Sequence, residues 1–125
     1  GLISLMAPAI AMGNTVVLAA SDPFPLAATD FYQVLETSDL PAGVVNILTG
    51  AHTDIAKPLA GHMDVDAIWA FDSTPAALIE KESTGNLKRT WVANGQSRDW
   101  RAEGEGRAFL ARATEVKTVW VPYGE

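Results

Sequence analysis

Apolar positions along this chain fall into blocks that alternate between helical and strand-like spacing. Residues 2–12 are apolar nearly all round, which predicts a buried helix kinked at Pro8 and stopped by Gly13-Asn14. Thr15-Val16-Val17-Leu18 is a β-branched run suited to a strand covered on both faces. Ser21-Asp22-Pro23 reads as a helix start, with Asp22 as N-cap and Pro23 in the first helical position. Ala27, Phe31, Val34 and Leu35 then define a buried stripe, and Leu40-Pro41-Ala42-Gly43 breaks the helix.

The alternation continues. Val44-Val45-Asn46-Ile47-Leu48 predicts a second strand, and a short helix with Ile55, Ala56 and Leu59 inward follows it. Residues 67–71 predict a third strand, 74–84 a helix and 88–93 a fourth strand. Strand–helix spacing of this kind predicts an α/β fold: a Rossmann-like parallel sheet with helices on both faces.

After Gly95 the pattern fades. Gln96 to Arg107 is polar and reads as a surface loop or linker; residues 109–113 suit a helical turn, and residues 116–121 a last strand stopped by Pro122. The expected division is a domain over 1–95, a linker over 96–108, and a C-terminal turn and strand over 109–125.

Composition narrows the function. The chain has 125 residues, enough for one domain with a hydrophobic core, and 48% of them are hydrophobic. A net charge of −6 argues against a nucleic-acid partner, whose footprint would be a clustered basic face. Residues 1–79 hold one lysine against eight acids, so the charge is concentrated in the first part. The chain has no cysteine, which excludes disulfides, thiolate metal sites and a thiol nucleophile within it. No signal peptide is visible, and the opening apolar run is short of the roughly 20 residues that span a bilayer. The expectation is a cytoplasmic protein without a membrane partner. A chain opening inside an apolar run is also expected to be cut from something longer.

The stretch 64–75 carries the sharpest chemical question. An apolar strand there feeds a Ser73-Thr74-Pro75 helix start, the arrangement in which free backbone N–H groups and the helix dipole bind phosphate. The close-approach position, where glycine is usual, holds Asp72. A carboxylate there is a good helix cap but opposes an anionic ligand. At about 4 Å and an effective dielectric near 20 the repulsion is about 4 kcal/mol, about a thousandfold in affinity.

Other candidates have plainer readings. His52 and His62 are ten positions apart without a carboxylate cluster, so turn or surface roles outweigh a metal site. Asp64 and Asp66 read as a solvated turn rather than an acid–base pair. Trp69 and Trp91 sit in expected strands and suit the core, whereas Trp100 and Trp120 are candidates for an interface. The arginines 98, 101, 107 and 112 are interrupted by acids, which favours a solvated face over an anion site.

Several segments, in order, resemble the cofactor-binding region of the aldehyde dehydrogenase superfamily. They are the run from Ala7 to Leu18 (APAIAMGNTVVL), the run from Leu40 to Gly50 (LPAGVVNILTG), His62-Met63-Asp64-Val65-Asp66 and Asn86-Leu87-Lys88-Arg89. Thr114-Glu115-Val116-Lys117-Thr118-Val119 looks like that family's C-terminal strand. The resemblance implies a lysine for the adenosine ribose where this chain has Ala19, while the acidic ribose partner is kept as Asp22. It implies a glycine under the pyrophosphate where Asp72 stands, with Ser73 and Thr74 kept, and a general-base glutamate where Val92 stands. The nucleophilic cysteine has no counterpart, so no catalytic residue carries over, and Asp22, Asp72, Ser73 and Thr74 mark a degenerate cofactor site.

This pattern is similar to a branch of the superfamily in which two modules share one chain and the C-terminal one is shortened and non-catalytic. The implied role is a structural and oligomerisation module, its first strand lying upstream of Gly1, with no cofactor of its own. The parent would use NAD(P)+ in its other module. An unpaired β-branched strand adds to an exposed sheet edge. Val116, Val119, Trp120 and Val121, with Trp100, are therefore expected to contact the upstream catalytic module or a second copy of the chain. A divergent aldehyde dehydrogenase fragment that keeps NAD(P)+ through Asp22, Ser73 and Thr74 is the alternative. A free-standing adaptor domain is a third reading.

Overall fold

The computed structural model describes residues 1–71 and 74–124. Helix α1 (Leu2–Ala11) leads into strand β1 (Val16–Ala19), α2 (Leu26–Glu36) and β2 (Val45–Leu48). Helix α3 (His52–Gly61), β3 (Ala67–Ala70), α4 (Ala76–Glu82), a 3-10 turn (Ser83–Gly85) and β4 (Arg89–Val92) continue the alternation, and α5 (Arg107–Arg112) follows a loop. The fold class is α/β, as the hydrophobic spacing predicts.

The strands are parallel but form two pairs. β1 lies beside β2 with Val16 opposite Val45 and Ala19 opposite Leu48. β3 lies beside β4 with Ala67 opposite Arg89 and Ala70 opposite Val92. Among the described residues no strand joins β1 to β3, so the one expected sheet is split into two. Both pairs point the same way. Gly1, at the start of α1, lies against Trp100, which packs on Phe71 just past β3. At its other end α1 delivers the chain to the beginning of β1.

Two sequence expectations are corrected by backbone chemistry. α2 starts at Leu26, with Pro25 in the cap position, rather than at Pro23. The helical region is disfavoured for the residue before a proline, which favours a start after Phe24 with Pro25 as the cap. The α2 stripe is also only partly buried: Ala28 is enclosed, while Ala27 and Val34 are exposed.

Residues 115–124 carry no strand in the single chain. A strand is defined by its neighbour's hydrogen bonds, and Val116, Val119, Trp120 and Val121 all lie open to solvent here.

The core is thin. Among the described residues ten apolar ones are buried, six of them alanines, and the large side chains fully enclosed are Ile79 and Phe109. Alanine removes little area from water at roughly 25 cal/mol per Å², so the larger contribution comes from an aromatic cluster. Trp69 and Trp91 meet edge to face at 5.2 Å across the β3–β4 pair. Phe71 meets Trp91 at 4.9 Å, and Phe109 of α5 meets Trp91 at 5.2 Å.

Candidate functional site

Ligand sites in such folds lie beyond the carboxyl ends of the strands. Here that edge gathers three groups of residues.

At the ends of β1 and β2, Ala19 closes its strand and Asp22 follows in an exposed turn. The first residue of α3, His52, reaches across to this turn. Its backbone N–H donates to Asp22 Oδ2 at 3.4 Å, and its ring Nε2 lies 3.5 Å from Asp22 Oδ1. The same Nε2 is 2.5 Å from the Ala20 carbonyl oxygen. His52 is thus a half-buried brace between β1 and α3 rather than a surface turn residue. The Asp22 carboxylate, kept as the acidic ribose partner, is engaged by this histidine. Sequence offered no sign of the pairing, because the two residues are thirty positions apart.

At the end of β3, the turn into α4 holds the expected phosphate-binding residues. Asp72 and Ser73 lie outside the described residues. Thr74 is buried, Pro75 is the cap of α4, and the helix itself begins at Ala76.

At the end of β4, Val92 occupies the position expected for a general base. It lines a cavity of about 240 Å3 with Phe71, Trp91, Asn94, Ser97 and Arg98. Glu103 is the one carboxylate on its described lining. The Arg98 guanidinium stands over Phe71 at 4.9 Å, Trp91 at 5.4 Å and Phe109 at 5.6 Å. Its Nη1 donates to the Glu103 carbonyl oxygen at 3.2 Å. An arginine over aromatic faces is attracted by the ring quadrupoles, so the loop folds back onto the strand ends. Trp100 follows it, meeting Phe71 edge to face at 5.4 Å. Trp100, a candidate for an interface, is half-buried and packs on Phe71 of its own chain, and Arg98 sits in an aromatic cage rather than on a fully solvated face.

Lys88 shows what the Asn86-Leu87-Lys88-Arg89 motif does structurally. The side chain is 8% exposed, and its Nζ donates to the carbonyls of Leu59 at 3.3 Å and His62 at 2.5 Å, closing the end of α3. Burial lowers its pKa from the ordinary 10.5, while the nearby charge of Asp66 acts to raise it. Asn86 Nδ2 donates to the carbonyls of Met63 at 2.9 Å and Val65 at 3.0 Å, pinning the 62–65 turn that holds Asp64.

Among the described residues no group of three or more His, Cys, Asp or Glu could hold a metal ion. No helix among them is long and apolar enough to cross a membrane.

Comparison with known proteins identifies the family. The sequence pattern of the aldehyde dehydrogenase family matches residues 2–98. The chain is 35% identical over 92 residues to the NADP/NAD-dependent aldehyde dehydrogenase PuuC of Escherichia coli, covering 72% of this chain and 19% of that protein. It is 43% identical over 88 residues to malonate-semialdehyde dehydrogenase 3 of Bacillus cereus, covering 70% of this chain and 18% of that one. A crystal structure of an aldehyde dehydrogenase from Bartonella henselae superposes with a TM-score of 0.67 and 29% identity, over 73% of this chain and 19% of that one. The chain thus spans about a fifth of the length of the proteins it matches.

Proposed function

Since the chain belongs to the aldehyde dehydrogenase family, through residues 2–98, we propose that it is a non-catalytic structural and oligomerisation module. Its parent protein would oxidise aldehydes to carboxylic acids with NAD(P)+ in another module. The observation that carries this reading is at the end of β4. Val92 stands where the general base is expected, in a cavity that Arg98 also lines, its guanidinium 4.9 Å from the Phe71 ring. No cysteine exists anywhere in the chain to act as nucleophile. Without a base and a thiol, neither the covalent step nor its activation has a residue to perform it.

The cofactor side supports the same reading. Ala19 offers no ammonium to a ribose, Asp22 is engaged by His52, and Asp72 adds a negative charge where a pyrophosphate would approach. The parent's cofactor would be held by its catalytic module.

An assembly role fits the C-terminal segment. Val116, Val119, Trp120 and Val121 present a β-branched, apolar edge to solvent, suited to pairing with the upstream catalytic module or a second copy. Cytoplasmic placement is part of the same proposal.

Calorimetric titration with NAD+ and NADP+ tests the reading, after circular dichroism has established that the chain is folded. No binding at micromolar concentrations is the expected result. Micromolar affinity would instead favour a divergent half-site that keeps its cofactor.

A further inference from the structure

The chain has four asparagines, and the fold engages the side-chain amides of three. Asn14 Nδ2 donates to the carbonyls of Ala9 and Ala113 at 2.9 Å each. Asn86 Nδ2 donates to those of Met63 and Val65 at 2.9 and 3.0 Å. Asn46 Nδ2 donates to the Gly43 carbonyl at 2.9 Å, and the peptide N–H that follows, that of Ile47, donates to the Tyr32 hydroxyl at 2.6 Å. Asn94 is different. It lies exposed in the turn that ends β4, and its side chain makes no hydrogen bond among the described residues. The residue after it is Gly95.

We propose that Asn94-Gly95 is a self-modification site, at which the chain converts its own side-chain amide into a carboxylate with water as the co-reactant. The Gly95 backbone nitrogen gives up its proton to solvent base and attacks Asn94 Cγ. A C–N bond forms and closes a cyclic imide; the Cγ–Nδ2 bond breaks, and Nδ2 leaves as ammonia with a proton taken from solvent. Water then opens the imide at one of its two carbonyls. Opening at Cγ restores the peptide bond and leaves aspartate. Opening at the Asn94 main-chain carbonyl leaves isoaspartate, in which the main chain runs on through Cγ. Nothing is oxidised or reduced, and either product adds one negative charge to a chain whose net charge is already −6.

Three features of the turn favour ring closure. Glycine has no side chain to shield its nitrogen, whereas Thr15, Ile47 and Leu87 follow the other asparagines. A Cβ at Gly95 would meet no heavy atom within 4 Å, so the ring has open space. The turn is closed by the Gln96 N–H donating to the Ala93 carbonyl at 2.9 Å. The Gly95 N–H itself donates to no group among the described residues and is left to solvent. Asn94 at φ +51 and Gly95 at φ +75 hold a left-handed backbone, which residues with a Cβ disfavour. Rotating the exposed Asn94 out of it, to bring the Gly95 nitrogen onto Cγ, breaks no core contact. The product carboxylate lies on the wall of the cavity of about 240 Å3 that Arg98 also lines. The change runs one way, so the charge at this turn records the age of the chain.

The test uses the full 125-residue chain, with circular dichroism confirming that it is folded. The chain is incubated in heavy-oxygen water at neutral and mildly alkaline pH, then digested in ordinary water and mapped by mass spectrometry with electron-transfer fragmentation. Oxygen taken from the incubation separates conversion in the folded chain from conversion during digestion. Arg89 and Arg98 flank the site, so trypsin releases residues 90–98 as one peptide. The expected result is labelled isoaspartate and aspartate at position 94, with isoaspartate in excess and faster conversion at the higher pH. Asn14, Asn46 and Asn86 should convert several-fold more slowly. Asn94→Gln keeps an amide but enlarges the ring that must close, so its position 94 should stay unmodified over the same period. An intact amide at Asn94, labelled aspartate without isoaspartate, equal conversion of the four asparagines, or conversion of Asn94→Gln at the parent rate would overturn the proposal. No cofactor enters the experiment, so its failure leaves the structural-module reading to its own test.

Discussion

Asn14 holds the two ends of the fold together: its side-chain amide donates to the carbonyl of Ala113, 99 positions away, at 2.9 Å. The same nitrogen also donates to the Ala9 carbonyl at 2.9 Å, closing α1. One side chain therefore caps a helix and anchors α5 at the amino-terminal side of the strands. Asn14→Ala leaves two partly buried carbonyls without this donor. The expected cost is about 1–3 kcal/mol, read as a lower urea midpoint with an unchanged slope. A change below the error of the measurement would show that α5 is anchored mainly by Phe109.

Sequence pattern located all four strands to within a residue or two, because parallel strands buried between helices leave short, uninterrupted apolar runs. It placed α2 too early, since the N-cap signal of Asp22-Pro23 was read without the second proline at 25. The cage around Arg98 was not legible. Its rings come from positions 71, 91, 100 and 109, and no local period connects them. His52 and Asp22 were each singled out, yet their pairing depends on where α3 lands relative to β1. The division into two strand pairs also escaped the pattern, which reports strands and not their neighbours.

Phe109 is 2% exposed and meets both Trp69 and Trp91. Its removal leaves a hole in a core otherwise built largely from alanine. Phe109→Ala is expected to cost about 3–5 kcal/mol, a large share of the stability of a small domain. Thermal unfolding followed by near-ultraviolet circular dichroism should show loss of the tryptophan signal at 25 °C or a much lower midpoint. An unchanged near-ultraviolet spectrum would count against the cluster as the main tertiary contact.

Gly104 lies beside α1 in the loop that carries Trp100. A Cβ there would collide with the Trp100 carbonyl and approach Ser4 Oγ to 2.8 Å. Backbone cannot yield as a flexible side chain does, so Gly104→Ala should push the loop off Phe71 and Gly1. The expected readout is a red-shifted tryptophan emission that Trp100→Phe abolishes, with a stability loss of about 1–3 kcal/mol for the overpacking. Identical emission from parent and variant would show the loop accommodating the methyl elsewhere.

Leu87 adopts φ +56 and is almost wholly exposed. A left-handed conformation costs a non-glycine residue about 1–2 kcal/mol, while glycine gives back roughly 0.5–1 kcal/mol through chain entropy. Leu87→Gly should therefore stabilise by about 0.5 kcal/mol, seen as a small rise in urea midpoint. A clear loss of stability would reveal an apolar contact for this leucine.

Lys88 makes stability depend on alkaline pH. Burial lowers its folded-state pKa below the ordinary 10.5, so between the two values the unfolded chain holds more protons than the folded one. Stability contributed by this residue therefore rises with pH across the interval just beneath 10.5. Lys88→Met removes that slope. It also removes the charged donor to the Leu59 and His62 carbonyls, which keep the backbone N–H groups of His62 and Val65, at a cost of about 1–3 kcal/mol near neutrality. Urea unfolding of both proteins between pH 8 and pH 10.5 checks the sign: the stability gap should widen as pH rises. A constant gap would mean that the lysine titrates alike in folded and unfolded chains.

Asp72 and Ala19 bear on the proposed function most directly. The family resemblance aligns Asp72 with the glycine expected under a pyrophosphate and Ala19 with the lysine expected at the ribose. If these two positions alone block the cofactor, Ala19→Lys with Asp72→Gly should create binding that the parent lacks. Removing the repulsion is worth up to about 4 kcal/mol, about a thousandfold in dissociation constant. Calorimetry with NAD+ on the double variant would then detect affinity, and Asp22→Ala added to it should lower that affinity. A folded double variant that still binds nothing would show that these two positions do not by themselves account for the difference.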